Sequence, residues 1–516
     1  MPAHSAFGGR RKSLKPNQSL HTRTQLGIAF GINLLEPLHL RFGGGAAQTE
    51  LSPLVLILIL VVGVVILIRP RARTIAPFLA TCILVPMDQV LVVGALHFPM
   101  LRVLALFGIV RLIRDKIHSK ARVFSHGINK IDIAVILFAI STGVAGVLLF
   151  QEMGALIFQL GNIYTVFGLY FFLRFLIRDK EDVVTMIRTL AYVAMFIAVI
   201  MTWETITGHN PYAWLGGFQS SFYENLMVRD DRFRASGCFG HPILAGTFGA
   251  IVLPLFVLLW REGRKDRTVA SIGILAATVI TLTSKSSTPI LAYAAGVFAL
   301  CMWPLRRQLR LLRWVIVLTI MSLHVVMKAP VWHLISRIDV AGGSSSYHRY
   351  MLVDQCIRHF GDWWLIGVKS TADWGWDMWD TANQYVGICD SSGLVPFLLF
   401  LAILVYGFKY LGTARKRAEN RKEQIFLWSL GSALFANVVA FFGISYWDQT
   451  QAVWFGLLAA ISAAVVMRTE STKVPVRVSS KAADWAEQFA VPASEVDSDM
   501  IETGAQKSPS SHRFFA

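Results

Sequence analysis

Long apolar runs separated by short basic connections set the organisation of this chain. The runs fall at about 53–68, 75–93, 97–113, 131–149, 155–176, 184–203, 243–260, 268–284, 288–304, 313–328, 393–411, 424–442 and 449–467, thirteen in all. Most approach the roughly 20 residues that carry a helix across a bilayer. The pattern predicts an all-α, polytopic membrane protein with about 12–13 transmembrane helices and one large late loop. The weakest run is 97–113, which Arg102 and Arg111 interrupt.

Lysine and arginine orient the runs. Counted along the chain, the basic connections at 69–73, 111–122, 178–180, 261–267, 306–313 and 415–422 all fall on one side, and Arg468 opens a tail there. The positive-inside rule makes that side cytoplasmic. The opposite side receives turns at 151–154, 284–287 and 446–448 and two longer loops, 204–242 and 328–392. The same count puts the basic N-terminus outside unless 25–40 also crosses or inserts. Four parts follow: a basic segment at 1–50, disordered in part; N-terminal transmembrane helices at 51–203; a membrane domain at 204–470 carrying the loop 328–392; and a disordered cytoplasmic tail at 471–516.

Composition changes this picture little. Of 516 residues 54% are hydrophobic and 16% charged. The net charge of +17 lies in short loops between apolar runs, which excludes nucleic acid as its explanation. Five cysteines show neither CxxC nor zinc spacing. Cys356 and Cys389 can pair if the late loop faces an oxidising compartment; otherwise they are buried free thiols.

Candidate chemistry concentrates in three outward stretches. The first, 229–242 (RDDRFRASGCFGHP), brings Arg229, Arg232 and Arg234 to the membrane surface and ends where His241-Pro242 opens a helix. Arginine donates to phosphate in pairs, and a helix N-terminus favours anions. Arginines there also suit snorkelling to lipid headgroups. The second, 284–289 (SKSSTP), combines Lys285 with hydroxyls at a helix start, a phosphate cradle or a plain capped hairpin. The third is the late loop, whose interval 328–390 holds six of the fifteen tryptophans: Trp332, Trp363, Trp364, Trp374, Trp376 and Trp379. A helix opening near 344–350 carries His348 and Arg349, with Asp354 and Arg358 beyond. Indole faces suit sugar stacking, and they also form interfacial belts. No HExxH, EF-hand or outward DxD spacing occurs, so no metal or other cofactor is expected. The cytoplasmic connections are too short for a nucleotide site. Activated substrate would therefore arrive outside on a carrier, of which a polyprenyl diphosphate is the membrane-borne type.

Residues 234–412 resemble the O-antigen ligase and O-antigen polymerase superfamily of bacterial envelope enzymes, which includes exopolysaccharide polymerases. RASGCFGHPILAG (234–246) is similar to its arginine-glycine-phenylalanine entry to a membrane helix, and TSKSSTPILA (283–292) to its serine-basic turn, with Lys285 where arginine is common. DTANQYVGICDSSGL (380–394) resembles its histidine-asparagine segment, with Asn383 and Gly393 at the expected spacing. Ala382 stands at the usual histidine position and Ser391 where glutamate is common.

The resemblance implies an inner-membrane, metal-independent glycosyltransferase. It would polymerise or ligate undecaprenyl-diphosphate-linked glycans onto a glycan or lipid acceptor at the periplasmic face, alone or with other polysaccharide assembly proteins. On that basis Arg234, Arg349, His348 and Asp380 are candidate catalytic residues, the arginines stabilising the leaving diphosphate with help from Lys285. Lys285, His241, Asn383, Tyr385, Trp374 and Trp376 are candidate substrate-binding residues. With Ala382 in place of histidine, His348, His241 or Asp380 substitutes as base, or catalysis rests on the arginines. Two other classes stay open. One is a transporter or lipid-carrier flippase, for which Asp88 is nearly the only acidic group within an apolar run. The other is a non-catalytic assembly partner.

Overall fold

The computed structural model describes residues 49–464 except 95, 119–123, 125–126, 217–227, 230–231, 338–344 and 448. The expectations for 1–48, for the tail beyond 464 and for the side chains of Arg229 and Arg232 lie outside what is described.

Each of the thirteen apolar runs contains a helix. They are α1 (Pro53–Ile68), α2 (Arg71–Leu84), α3 (Met100–His118), α4 (Lys130–Phe150), α5 (Met153–Leu176), α6 (Lys180–Thr207), α7 (Pro242–Glu262), α8 (Arg267–Thr283), α9 (Ser287–Cys301) and α10 (Leu309–Val326). The late loop then contributes α11 (Ser345–Arg358) and α12 (Gln384–Ser392), before α13 (Leu394–Arg417), α14 (Arg421–Ala440) and α15 (Thr450–Ala464). Eight of the described helices are long and apolar enough to cross a membrane, and α1, α9 and α15 are shorter apolar helices. The chain is a mostly helical, multi-pass membrane protein.

One stretch departs from the helical expectation. The runs 75–93 and 97–113 are not continuous helices: α2 stops at Leu84, and a hairpin of β1 (Val90–Val93) and β2 (Leu96–Pro99) precedes α3. Pro86 has no N–H to continue a helix, and the VLVV of β1 is rich in β-branched residues that favour a strand. Backbone bonds in both directions between Glu50 and Val90 (3.0 and 2.8 Å) add a further bridge to the hairpin. Asp88 therefore lies in the connection between α2 and β1, not inside a spanning helix.

Local signals place the helix starts. Asn129 and Asp132 form a reciprocal capping box on α4, and Asp179 caps α6. The basic connections meet one another at one end of the bundle. Arg71 reaches Asp182 and the Leu176 carbonyl, Lys180 pairs with Glu262 (2.8 Å), Arg188 with Asp266 (2.8 Å), and Arg415 donates to the Arg306 carbonyl (3.2 Å).

Packing centres on α7, which lies against α6, α8, α9, α14 and α15. In its most apolar window 83% of α7 is buried, whereas α10 buries 0%. A helix apolar all round belongs in the core when neighbours surround it, and α10, with none of its residues buried, presents its apolar side chains outward. The core position of α7 matters for function because its N-terminus is where the first candidate stretch ends.

Candidate functional site

Arg234 is buried, and its guanidinium reaches across to the turn between α8 and α9. It donates to the Ser286 hydroxyl (2.7 Å) and, through Nε, to the Ser284 carbonyl (3.4 Å). The backbone follows the same route, with Ala235 N–H donating to the Thr283 carbonyl (3.2 Å). Glycine at 246 lets the turn sit this close, since a Cβ there would run into Ser284 and Pro289. Within the turn Lys285 is exposed and adopts φ +43°, a left-handed conformation seldom taken by lysine. His241 caps α7, its Nδ1 accepting from Ile243 N–H (3.1 Å), with Pro242 as the first helical residue.

Three polar residues outside the expected set hold this segment. The carboxylate of Glu204, fully buried in the last turn of α6, accepts from the N–H groups of Ser236 (3.1 and 3.2 Å) and Gly237 (2.8 Å). Asn210 donates to the Gly237 carbonyl (2.8 Å). Gln449 donates to the carbonyls of Cys238 (2.7 Å) and Val85 (3.2 Å). A signal for Glu204 existed: the negative end of a helix dipole disfavours a carboxylate, so one placed there needs dedicated donors.

The connection after α14 joins the second and third stretches. Thr288, on α9, donates to the Gly443 carbonyl (3.2 Å). Asn383 caps α12 by accepting from Tyr385 and Val386 N–H (3.0 and 3.2 Å), while its amide donates to the Phe442 carbonyl (3.2 Å). Gln384 N–H donates to the Phe441 carbonyl (2.8 Å), and the Tyr385 hydroxyl to the Val438 carbonyl (3.0 Å). Burial raises the Tyr385 hydroxyl above the ordinary phenol range, keeping it a donor. The polar atoms of Asn383 and Tyr385 are thus spent on anchoring α12 to the bundle.

The late loop has a small core of its own, built from Leu352, Cys356, Trp363, Trp374, Met378, Val386 and Cys389. Trp374 belongs to it, stacked on His359 with centroids 5.1 Å apart and planes at 7°, so packing takes up the ring expected to meet sugar. Trp376, 91% exposed, and Trp379, 72% exposed, keep their indoles open. His348 and Arg349 are half-buried on α11. His348 Nε2–H donates to the Asp377 carbonyl (2.9 Å), leaving Nδ1 as the basic nitrogen of the neutral ring. Asp380 is close enough for its charge to interact with His348. Asp380 is an exposed residue whose carboxyl is only partly desolvated; that raises it above the usual carboxylate value, opposed by His348 and helped by Asp377.

The chain matches no family model, and no curated protein matches it. Among the described residues no group of three or more His, Cys, Asp or Glu is placed to hold a metal ion. The arrangement offers, instead, a buried guanidinium and an exposed ammonium at a helix-start turn, and, in the late loop, a histidine with a carboxylate near it and two open indoles. α11, which carries His348 and Arg349, packs on α12, and α12 is bonded to the connection that Thr288 reaches.

A second carboxyl in the loop carries a pH prediction. Burial pushes Asp390 from 3.8 to about 7, with bonds from the Thr381 hydroxyl and Ser391 N–H pulling partly back. The folded value exceeds the unfolded one, so the contribution is fully present below pH 3.8 and lost as pH rises through about 7. At about 1.4 kcal/mol per pH unit this is on the order of 4 kcal/mol. Unfolding temperature of the purified protein is expected to fall between about pH 4 and about pH 7, the span between the two values, and Asp390→Asn to flatten that slope. A variant with the wild-type slope would show another group to be its source.

Proposed function

We propose that this chain is an inner-membrane glycosyltransferase that polymerises or ligates undecaprenyl-diphosphate-linked glycans at the extracytoplasmic face. The observation that carries the reading is the convergence of three stretches far apart in sequence. Arg234 bonds to Ser286, Thr288 to Gly443, and Asn383 to Phe442, all at the end of the bundle opposite the joined basic connections. With those basic connections cytoplasmic, the converged end faces outward, where no nucleotide-activated sugar is available.

In this reading an acceptor hydroxyl attacks the anomeric carbon of the carrier-linked glycan. The bond from that carbon to the diphosphate oxygen breaks, and the charge gathering on the diphosphate is met by Arg234, Lys285 and Arg349. His348 or Asp380 takes the hydroxyl proton. A carboxyl raised above its usual value is a better base near neutral pH, and Asp380 has that property two residues before Ala382, which supplies none. Trp376 and Trp379 offer the open faces for sugar rings, and Asn383 and Tyr385 fix the frame on which the loop stands.

The test is glycan length on a gel in a deletion strain complemented with wild-type or Arg349→Ala protein. Complementation by wild type and at least a tenfold loss of long polymer with Arg349→Ala are expected, removal of one charge-stabilising donor costing about 10²–10³ in rate. Single repeat units left on the carrier identify a polymerase; long carrier-linked chains missing from their final acceptor identify a ligase. Unchanged envelope glycans in the deletion strain would overturn the reading in favour of a transporter or an assembly partner.

A further inference from the structure

The reading above leaves the two loop cysteines without a role. Cys356 lies on α11 and Cys389 on α12, both buried in the small core of the loop, and both are thiols in this structure. α11 packs directly on α12. The two side chains share that one packed cluster, and the Cys356 thiol acts directly on that of Cys389. Among the described cysteines, Cys82 and Cys238 are buried in the main bundle core and Cys301 is exposed at the end of α9, so the pair is singled out by position as well as by contact.

We propose that Cys356 and Cys389 form a disulfide that clasps α11 to α12. The two S–H bonds break and one S–S bond forms. A disulfide of the thiol–disulfide oxidoreductase class accepts the two electrons and two protons and leaves as a dithiol. The bond forms while the loop folds, because the packed thiols are poor nucleophiles: the neighbouring Cys356 thiol, then burial, raises the Cys389 thiol well above its ordinary range. The clasp has a consequence for the site. α12 is bonded to the bundle through Asn383, Gln384 and Tyr385, whereas α11 carries His348 and Arg349 and meets it by packing. A covalent link would hold the candidate base and cation in register with the anchored helix. The inference rests on the outward placement of the loop in the proposed function, since disulfides persist in oxidising compartments, and it is independent of glycosyl transfer.

The test uses the full chain in the membranes of the producing cell. Membranes are denatured in detergent with excess N-ethylmaleimide and no reductant, then reduced, alkylated with iodoacetamide and digested for mass spectrometry. Cys356 and Cys389 are expected to carry the second label and, without reduction, to appear as one linked peptide pair, while Cys82, Cys238 and Cys301 carry the first. N-ethylmaleimide on Cys356 and Cys389 overturns the disulfide. A second arm reads the side of the membrane: the exposed position in Trp379→Cys is probed with a membrane-impermeant maleimide on spheroplasts. Labelling from outside with Cys356 and Cys389 free would sink the disulfide alone. Labelling only after lysis, with those thiols free, would overturn the outward placement and the disulfide with it.

Discussion

Replacing Arg234 with alanine is expected to abolish long-chain glycan formation, with a rate loss of about 10²–10³. Two effects add. The substitution removes a cation from the converged end, and it strips the Ser286 hydroxyl and the Ser284 carbonyl of a donor inside a buried turn. A buried polar group left unmade costs about 1–3 kcal/mol, so part of the loss is structural. Arg234→Lys and Ser286→Ala separate the parts. Lysine keeps the charge without the planar fork, and Ser286→Ala keeps the guanidinium while removing one of its anchors. If charge against the leaving diphosphate dominates, Arg234→Lys retains measurable polymer and Ser286→Ala retains most of it. If holding the turn dominates, both lose polymer together and both lower the unfolding temperature. Full-length polymer from a well-folded Arg234→Ala protein would remove this residue from the mechanism.

How much of this was legible in the sequence depends on how many jobs a residue type can do. Apolar runs near the bilayer thickness have one strong solution, so the helices and their shared basic end were readable from runs and arginines. The stretch 86–99 was not, because valine and leucine are equally apolar as strand or helix, and only Pro86 and the β-branched preference of the valines at 90–93 argue for the break. Tryptophans were harder still. Trp374 and Trp376 stand two residues apart in the same polar setting, yet one is a core residue on His359 and the other is 91% exposed. Arg234 and the serine turn were readable as chemistry, but not that they meet, since their contact joins residues some fifty positions apart. Glu204 and Gln449 were passed over because a single polar residue beside an apolar run reads as a boundary. Their role follows from backbone groups of 236–238 that only the fold brings to them.

Gly393→Ala is expected to be strongly disruptive for a single added methyl, costing roughly 3 kcal/mol or more. Gly393 sits between α12 and α13 at φ +87° and ψ −171°, a region that is essentially glycine-only and costs other residues about 1–3 kcal/mol. Strain is only the first contribution. A Cβ there would lie 2.6 Å from the Leu365 carbonyl oxygen, which is backbone and cannot swing aside. Relief would have to come from parting 364–368 from 390–394, and that breaks the bonds from Leu394 N–H to the Trp364 carbonyl (2.9 Å) and from Val368 N–H to the Asp390 carbonyl (2.6 Å). Those bonds close the loop core over Cys389 and Asp390. The variant should therefore unfold at lower temperature and lose polymer. Gly412→Ala is the control: no neighbour lies within 4 Å of the added methyl, and alanine favours the interior of α13 by about 1 kcal/mol. Equal unfolding temperatures for the two variants would show that the glycine before α13 carries no backbone requirement. A selective loss in Gly393→Ala would tie the spacing from Asn383 to Gly393 to its physical cause, a capped helix that must end in a conformation only glycine accepts.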